Sequence, residues 1–467
     1  MDTRPVHYRS LVETAEALRT GETSARALTE TMLERIGTLD PGYHSYFHVC
    51  TERALAKADA ADAALRDGRC LGPLHGMPIA VKDLCRTDFA PTTAGMGINA
   101  GLMSETNATV VDRLEAAGAV ILGKIAMTEG AYTGHHPNVS VPVNPLSRDH
   151  WVGTSSSGSG VATAAGFCFA SLGSDTGGSI RYPSATCGLS GLKPTWGRVS
   201  RHGVFDLAPT LDHVGPMTRS AADCAATLQV IAGHDPKDPT SLDVPVPDYM
   251  SGLGRGVRDL RIGVDRDYAF DGVEASVAAA LEAAIAQFER LGARIVEITL
   301  PPYEELVAEW VMMCAVETAY VHRETYPARA AEYGPDLSNL IDQGLAATGV
   351  QVARGNILRV TFSQALETMF EGIDCMLCPT MPTPTPTLAQ MAGYGADPEV
   401  LNAILRYTAP FDFSGSPTLT LPNGLDGQGM PTSMQIVGPM LSEAVILRAG
   451  AAYQNATDWH CRHPDLG

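Results

Sequence analysis

An α/β fold is predicted for this chain of 467 residues, on three observations. Helix-like and strand-like stretches alternate, over residues 109–126 and again over 261–300. The strand-like stretches, among them PIAV and AVIL, are apolar at every position, as strands covered on both faces must be. The composition, 45% hydrophobic and 18% charged, is that of a globular chain with a large core. The expectation is one domain over 1–467, with N-terminal helices over 1–70, a core over 71–230 and a helical insertion at about 300–370.

The elements follow in order. Residues 11–70 read as helices. SARALTETMLERI puts Leu28, Met32, Leu33 and Ile36 on one face, with Thr23 or Ser24 as N-cap. RALAKADAADAALRDGR is a second, alanine-rich helix. GPLHGMPIAVKDL opens a strand, and ATVVDRLEAAGAVILGKIAM reads as helix then strand. Later, RIGV, the helix SVAAALEAAIAQFERLGA and RIVEITLP repeat the alternation. Residues 303–370 are mainly helical, broken at Gly334-Pro335. DCMLCPTMPTPTPTL is a strand entering a Pro/Thr loop; SPTLTLPNG and TSMQIVGP are strands, and SEAVILRAGAAYQNATDW is a closing helix.

The formal charge is −19, so no general basic surface is offered to phosphates, and nucleic acid is not expected as a partner. No apolar run reaches 18 residues and MDTRPVHYRS lacks a signal-type apolar core, so neither a membrane span nor export is expected. The ten cysteines are scattered, mostly in apolar surroundings such as those of Cys168 and Cys187, which points to buried reduced thiols and a cytoplasmic setting.

Two Gly/Ser-rich stretches stand out, VGTSSSGSGV at 152–161 and GSDTGGSIRYP at 173–183. The first has a linker's composition. It runs straight into the apolar segment VATAAGFCFASLG, and a second Gly/Ser loop follows, which favours two backbones meeting at one place. Other chemistries fit poorly. Neither loop carries G-x-S-x-G. GAVILGKI has Ile125 where a phosphate loop needs Ser or Thr, and its interior is a strand. Cys375 and Cys378 form a lone CxxC in an apolar strand, better read as core thiols. His135-His136 has no ligand partner at metal spacing.

Three segments together resemble the amidase signature family: GMPIAVKDL, GTSSSGSGVATAAG, and GSDTGGSIRYPSATCGLSGLKPTWGRVS. LDHVGPMTRSAADCA and LPNGLDGQGMPTSMQIVG are similar to it too. The resemblance implies a large central mixed β-sheet flanked by helices on both faces, and hydrolysis of C–N bonds through a Ser–cis-Ser–Lys triad. Carried over, Ser179 is the nucleophile, Ser155 the cis-serine 24 residues before it, and Lys82 the base. Ser156 is a supporting hydrogen-bond position. Thr154 and Ser157 depart from the family's usual glycines, which bears on the shape of this loop.

These residue types suit the chemistry. A serine needs a base, and a lysine serves when burial keeps it neutral. Lys82 follows an apolar strand; a strand-end lysine paired with Asp83 is the bland alternative. The backbone amides of Thr176, Gly177, Gly178 and Ser179 are candidate oxyanion donors. Asp175 and Arg181 read as structural partners, and Tyr132 in TEGAYTGHHPN as a candidate substrate contact. Trp310, Met312, Met313, Tyr320 and Tyr326 are candidates for a pocket wall, with plain core as the alternative. The expected substrate is a small neutral amide or carbamate, a urethanase being one option, and the chemistry needs no metal or organic cofactor. A homodimer is common in the family. Two other functions remain open: the amidase subunit of the glutamyl-tRNA amidotransferase, and a non-catalytic scaffold.

Overall fold

The computed structural model describes residues 4–392 and 397–466. Among these, eleven strands form one sheet. In chain order they are Tyr46–Val49 (β1), Pro78–Lys82 (β2), Val120–Ile125 (β3), Ala170–Asp175 (β4), Ser190–Lys193 (β5), His213–Thr218 (β6), Arg261–Val264 (β7), Arg294–Glu297 (β8), Cys375–Pro379 (β9), Thr418–Leu425 (β10) and Pro431–Val437 (β11). Across the sheet the order is β1-β3-β2-β4-β6-β5-β10-β11-β9-β7-β8. β3, β2 and β4 run parallel near one end, and β9, β7 and β8 near the other. Antiparallel pairs join these two groups, and β1 closes one edge antiparallel to β3.

The sheet is therefore mixed, and helices flank it. Every residue of β2, β3, β4 and β9 is buried, so both faces of these strands are covered, as their unbroken apolar runs require. The first long helix is Ala25–Leu39; Ser24 Oγ accepts from Ala27 N at 3.0 Å, and Leu28, Met32 and Ile36 are buried along one stripe. Leu33 is only partly buried. The alanine-rich helix is Thr51–Arg66. Between them lies β1, where helix was expected throughout. This short edge strand has three half-buried residues and one exposed residue, so it carries no period-two pattern to read.

The insertion comprises the helices Glu304–Val321, Pro335–Ala346 and Gly349–Phe370. Gly334 caps the second and Pro335 fills its first turn, where a missing N–H is harmless. Thr348 and Gln351 form a capping box on the third. No helix of the described residues is long and apolar enough to cross a membrane.

This topology locates one edge of interest. β2 and β4 are parallel neighbours, so the chain leaves both at the same edge of the sheet. β2 ends at Lys82 and β4 at Asp175. The helix Ser157–Ala164 starts from the first Gly/Ser stretch and packs against β4. That stretch is thus built into the core: residues 153–161 are all buried.

Candidate active site

Lys82 is fully buried. Its Nζ lies 2.7 Å from Ser155 Oγ, 2.9 Å from Ser156 Oγ and 2.9 Å from Ser174 Oγ. Successive residues leave a strand on opposite faces, and Asp83 turns away. Asp83 accepts from Thr93 N at 3.0 Å and from the Thr93 hydroxyl, and lies 3.2 Å from Lys124 Nζ. The bland pairing of Lys82 with Asp83 does not form. Burial pulls the Lys82 amine down to about 7, against weaker pushes from Cys85, Asp175 and Asp212.

The hydroxyls around Lys82 are ordered. Ser156 Oγ donates to Ser174 O at 3.2 Å and accepts from Ser174 N at 3.2 Å. A neutral amine has two N–H donors and one lone pair. With the Ser156 proton directed to a carbonyl, Ser155 or Ser174 must donate to that lone pair. The Thr154–Ser155 peptide is cis. Gly153 takes the left-handed conformation, φ 77°, while Thr154 stays outside it, so threonine fits where glycine is usual.

Asp175 shapes the second loop. Its Oδ1 accepts from Gly178 N at 2.7 Å, and its Oδ2 from Ile180 N at 3.0 Å and Arg181 N at 3.2 Å. The Arg181 guanidinium grips the same carboxylate, Nε to Oδ2 at 3.0 Å and Nη2 to Oδ1 at 2.7 Å, and reaches Asp412 Oδ2 at 2.7 Å. Burial works against the charges of both Asp175 and Arg181, but their pairing outweighs it, lowering the carboxyl and raising the guanidinium. The Gly178 amide is thereby engaged. Of the expected oxyanion donors, it is the one already bonded to a carboxylate within the chain.

Two distant side chains hold the adjoining peptides. Trp310 Nε1 donates to Thr176 O at 2.9 Å, and Thr408 Oγ1 to Gly177 O at 2.8 Å. A trans peptide points its N–H opposite its C=O, so the Gly177 amide is turned away from Trp310. A Cβ on Gly177 would lie 2.4 Å from Trp310 Cζ2, and one on Gly178, φ 122°, would lie 2.3 Å from the Tyr182 ring. Glycine is the residue that fits at both. Thr176 Oγ1 donates to Asp212 Oδ1 at 2.6 Å.

Ser179 faces a narrow cavity of about 20 Å³ that opens to solvent. It is 9% exposed, whereas Ser155 and Ser156 are fully buried, so Ser179 is the hydroxyl that a solute can reach. Ala131, Tyr132, Thr133 and Thr154 form one wall; Tyr182, Leu207, Trp310, Leu401 and Leu405 form the rest, around Thr176 and Gly177. No lining residue carries a charge. A larger hollow, lined by Asp40, Tyr46, Asp83 and Thr93 among others, contains none of these serines.

Of the proposed wall residues of the insertion, Trp310 alone lines this cavity. Met312 and Met313 pack around Gly355, Tyr320 is exposed, and Tyr326 bonds Asp342. Ser174, Thr408 and Asp412 were not anticipated. Ser174 lies inside GSDTGGS and had a local signal; Thr408 and Asp412 lie more than 200 residues from the loop they support and had none. Cys375 and Cys378 are unbridged core thiols in β9.

The sequence profile of the family described as Amidase matches residues 27–447. The chain belongs to the Amidase family. As an amidase signature enzyme it acts on C–N bonds in amides. It is 46% identical over 468 residues to AmiD of Mycobacterium tuberculosis, an amidase by name, covering 100% of this chain and 98% of that protein. It is 38% identical over 486 residues to one subunit of the glutamyl-tRNA(Gln) amidotransferase of Chloroflexus aggregans, covering 99% of each. Among solved structures, a vestigial protein complex bearing on the evolutionary origins of an s-triazine catabolic enzyme superimposes with a TM-score of 0.89 at 32% identity, covering 96% of this chain and 98% of that one. The Amidase match contains both Gly/Ser loops, Lys82 and Trp310.

Proposed function

We propose that this amidase works alone, cleaving small neutral amides or carbamates through an acyl-enzyme on Ser179. The observation that carries this is the buried Lys82 amine, lowered to about 7 and ringed by serine hydroxyls instead of a carboxylate. Ser179 Oγ attacks the carbonyl carbon. Its proton passes to Ser155 Oγ as the Ser155 proton passes to Lys82 Nζ. The oxyanion takes hydrogen bonds from free amides of the 176–179 loop, those of Gly177 and Ser179 foremost. Collapse expels the amine, which takes the proton back along the same route. Water then attacks the acyl carbon, again deprotonated through Ser155, and releases the acid and Ser179.

The uncharged lining supports a neutral substrate. The similarity to the amidotransferase favours a second reading, release of ammonia from glutamine for a partner. Free glutamine carries an ammonium and a carboxylate, and the cavity offers neither a counter-charge. The ten unbridged cysteines suit a reducing compartment, and we place the enzyme in the cytoplasm.

The test is a matched aryl panel of anilide, carbamate, ester and primary amide, assayed with purified chain and with Ser179→Ala. Turnover by the chain alone, lost by about 10⁴-fold or more in the variant, is the expected result. Silence on the panel, with glutamine hydrolysed once partner subunits are added, would transfer the assignment to the amidotransferase.

A further inference from the structure

Thr154 and Ser157, which replace the usual glycines, both reach the loop that forms one wall of the cavity. Thr154 Oγ1 lies 2.9 Å from Tyr132 O and 3.2 Å from Thr133 O, a forked donation. Ser157 Oγ lies 3.1 Å from His135 Nε2. Glycine has no hydroxyl and can make neither contact.

The wall has a strained backbone. Gly130 and Ala131 are both left-handed, with φ 56° and 64°. For alanine that conformation costs about 1–2 kcal/mol. Within the loop, Tyr132 N donates to Glu129 O at 3.0 Å, Ala131 N to Thr128 O at 3.2 Å, Glu129 N to Gly134 O at 2.8 Å, and Thr128 Oγ1 to Tyr132 O. At its base, Gly130 N donates to Ala94 O at 2.9 Å and Thr128 N to Ser155 O at 3.2 Å, so the backbone ties lie at 128–130 and the two hydroxyls add ties at 132–135. Ala131, Tyr132, Thr133 and Thr154 then line the cavity beside Ser179. Burial lowers the His135 imidazole to about 4, so at neutral pH it meets Ser157 uncharged.

We propose that Thr154 and Ser157 are positioning residues for substrate selectivity: their hydroxyls clamp the Ala131–Thr133 wall to the loop that carries Ser155. The wall then keeps a fixed distance from the attacking serine, and the bulk of the acyl group that fits is set by the clamp. The kinetic half of this inference rests on the hydrolase reading; the structural half does not.

Thr154→Val keeps the shape and removes the hydroxyl, Thr154→Ser restores it, and Ser157→Ala cuts the second tie. Amide hydrogen exchange on the intact chain reads the clamp directly. Exchange over 128–136 should quicken about tenfold in Thr154→Val, less in Ser157→Ala, and return to within about twofold of wild type in Thr154→Ser. Unchanged exchange in Thr154→Val overturns the proposal, whether or not a substrate is known. In kinetics, Thr154→Val should raise KM for a bulky aryl amide about tenfold relative to a small one, with kcat within about threefold. A fall in kcat with KM unaltered also overturns it, because Thr154 would then serve the serine relay and not the wall. A wild type silent across the panel sinks the hydrolase reading and leaves exchange to decide the clamp.

Discussion

At Lys82 the proposed chemistry and the folding energetics share one amine. Burial lowers it to about 7, so above neutral pH the free base predominates. If it is the base, kcat/KM rises with pH through a limb near 7 and levels above it. Lys82→Met should lose both the limb and most of the turnover, which a pH–rate profile of each protein checks. Stability carries the same signature. An unfolded lysine titrates at 10.5, so between about 7 and 10.5 the unfolded chain binds the extra proton and stability rises with pH. The slope is about 1.4 kcal/mol per pH unit for each such group and vanishes below the folded value. Lys193, also buried and lowered to about 7, adds a slope of the same sign. Lys82→Met should therefore flatten, without abolishing, the rise in denaturant midpoint between pH 7.5 and 9.5, values chosen at roughly the middle of that window. Lys82, Ser155 and Ser179 could be proposed from sequence because each sits in a continuous local motif. That Asp83 points to Lys124 could not, since the two lie 41 residues apart and meet only across β2 and β3.

Among the elements, the helix Glu304–Val321 does more than cover the core. It delivers Trp310, whose indole packs on Gly177 and whose N–H fixes the Thr176 carbonyl. Trp310→Phe keeps a ring on the glycine and removes one hydrogen bond. About 1 kcal/mol of loop order is at stake, and kcat should fall about fivefold to tenfold with KM nearly unchanged, as steady-state kinetics would show. A comparable loss confined to KM would mean that the indole only lines the cavity. The helix itself was legible, since its length and composition exclude a strand and Gly334-Pro335 marks the next one. Its partner was not: the hydrogen bond spans 134 residues, and no periodicity encodes it. β1 was missed for the opposite reason, being too short and too exposed to show a pattern.

For the whole molecule, alternation and unbroken apolar runs gave the α/β class, but not the strand order. β10 lies between β5 and β11, and the β5–β10 pairing joins residues more than 220 apart. Eight of the ten cysteines are buried; Cys70 is exposed and Cys461 half-buried. Burial raises Cys85, Cys187, Cys224, Cys375 and Cys378 to about 12, leaving almost no thiolate. A thiol reagent should label Cys70 at once, Cys461 more slowly, and the others only as the chain unfolds, so their labelling rate measures global opening. Rapid labelling of three or more buried thiols in native buffer would show that the core opens locally. Finally, every residue lining the cavity comes from a loop or helix, while Lys82 and Asp175 are strand ends. The outer lining, from 131–133 and 401–405, is thus a separate stretch of chain from the strand ends and from the 176–179 loop. A mutational library confined to 131–133, 401 and 405 can vary what enters the enzyme while the strand-borne lysine and Trp310 stay untouched, which makes this scaffold suited to directed evolution toward new amides.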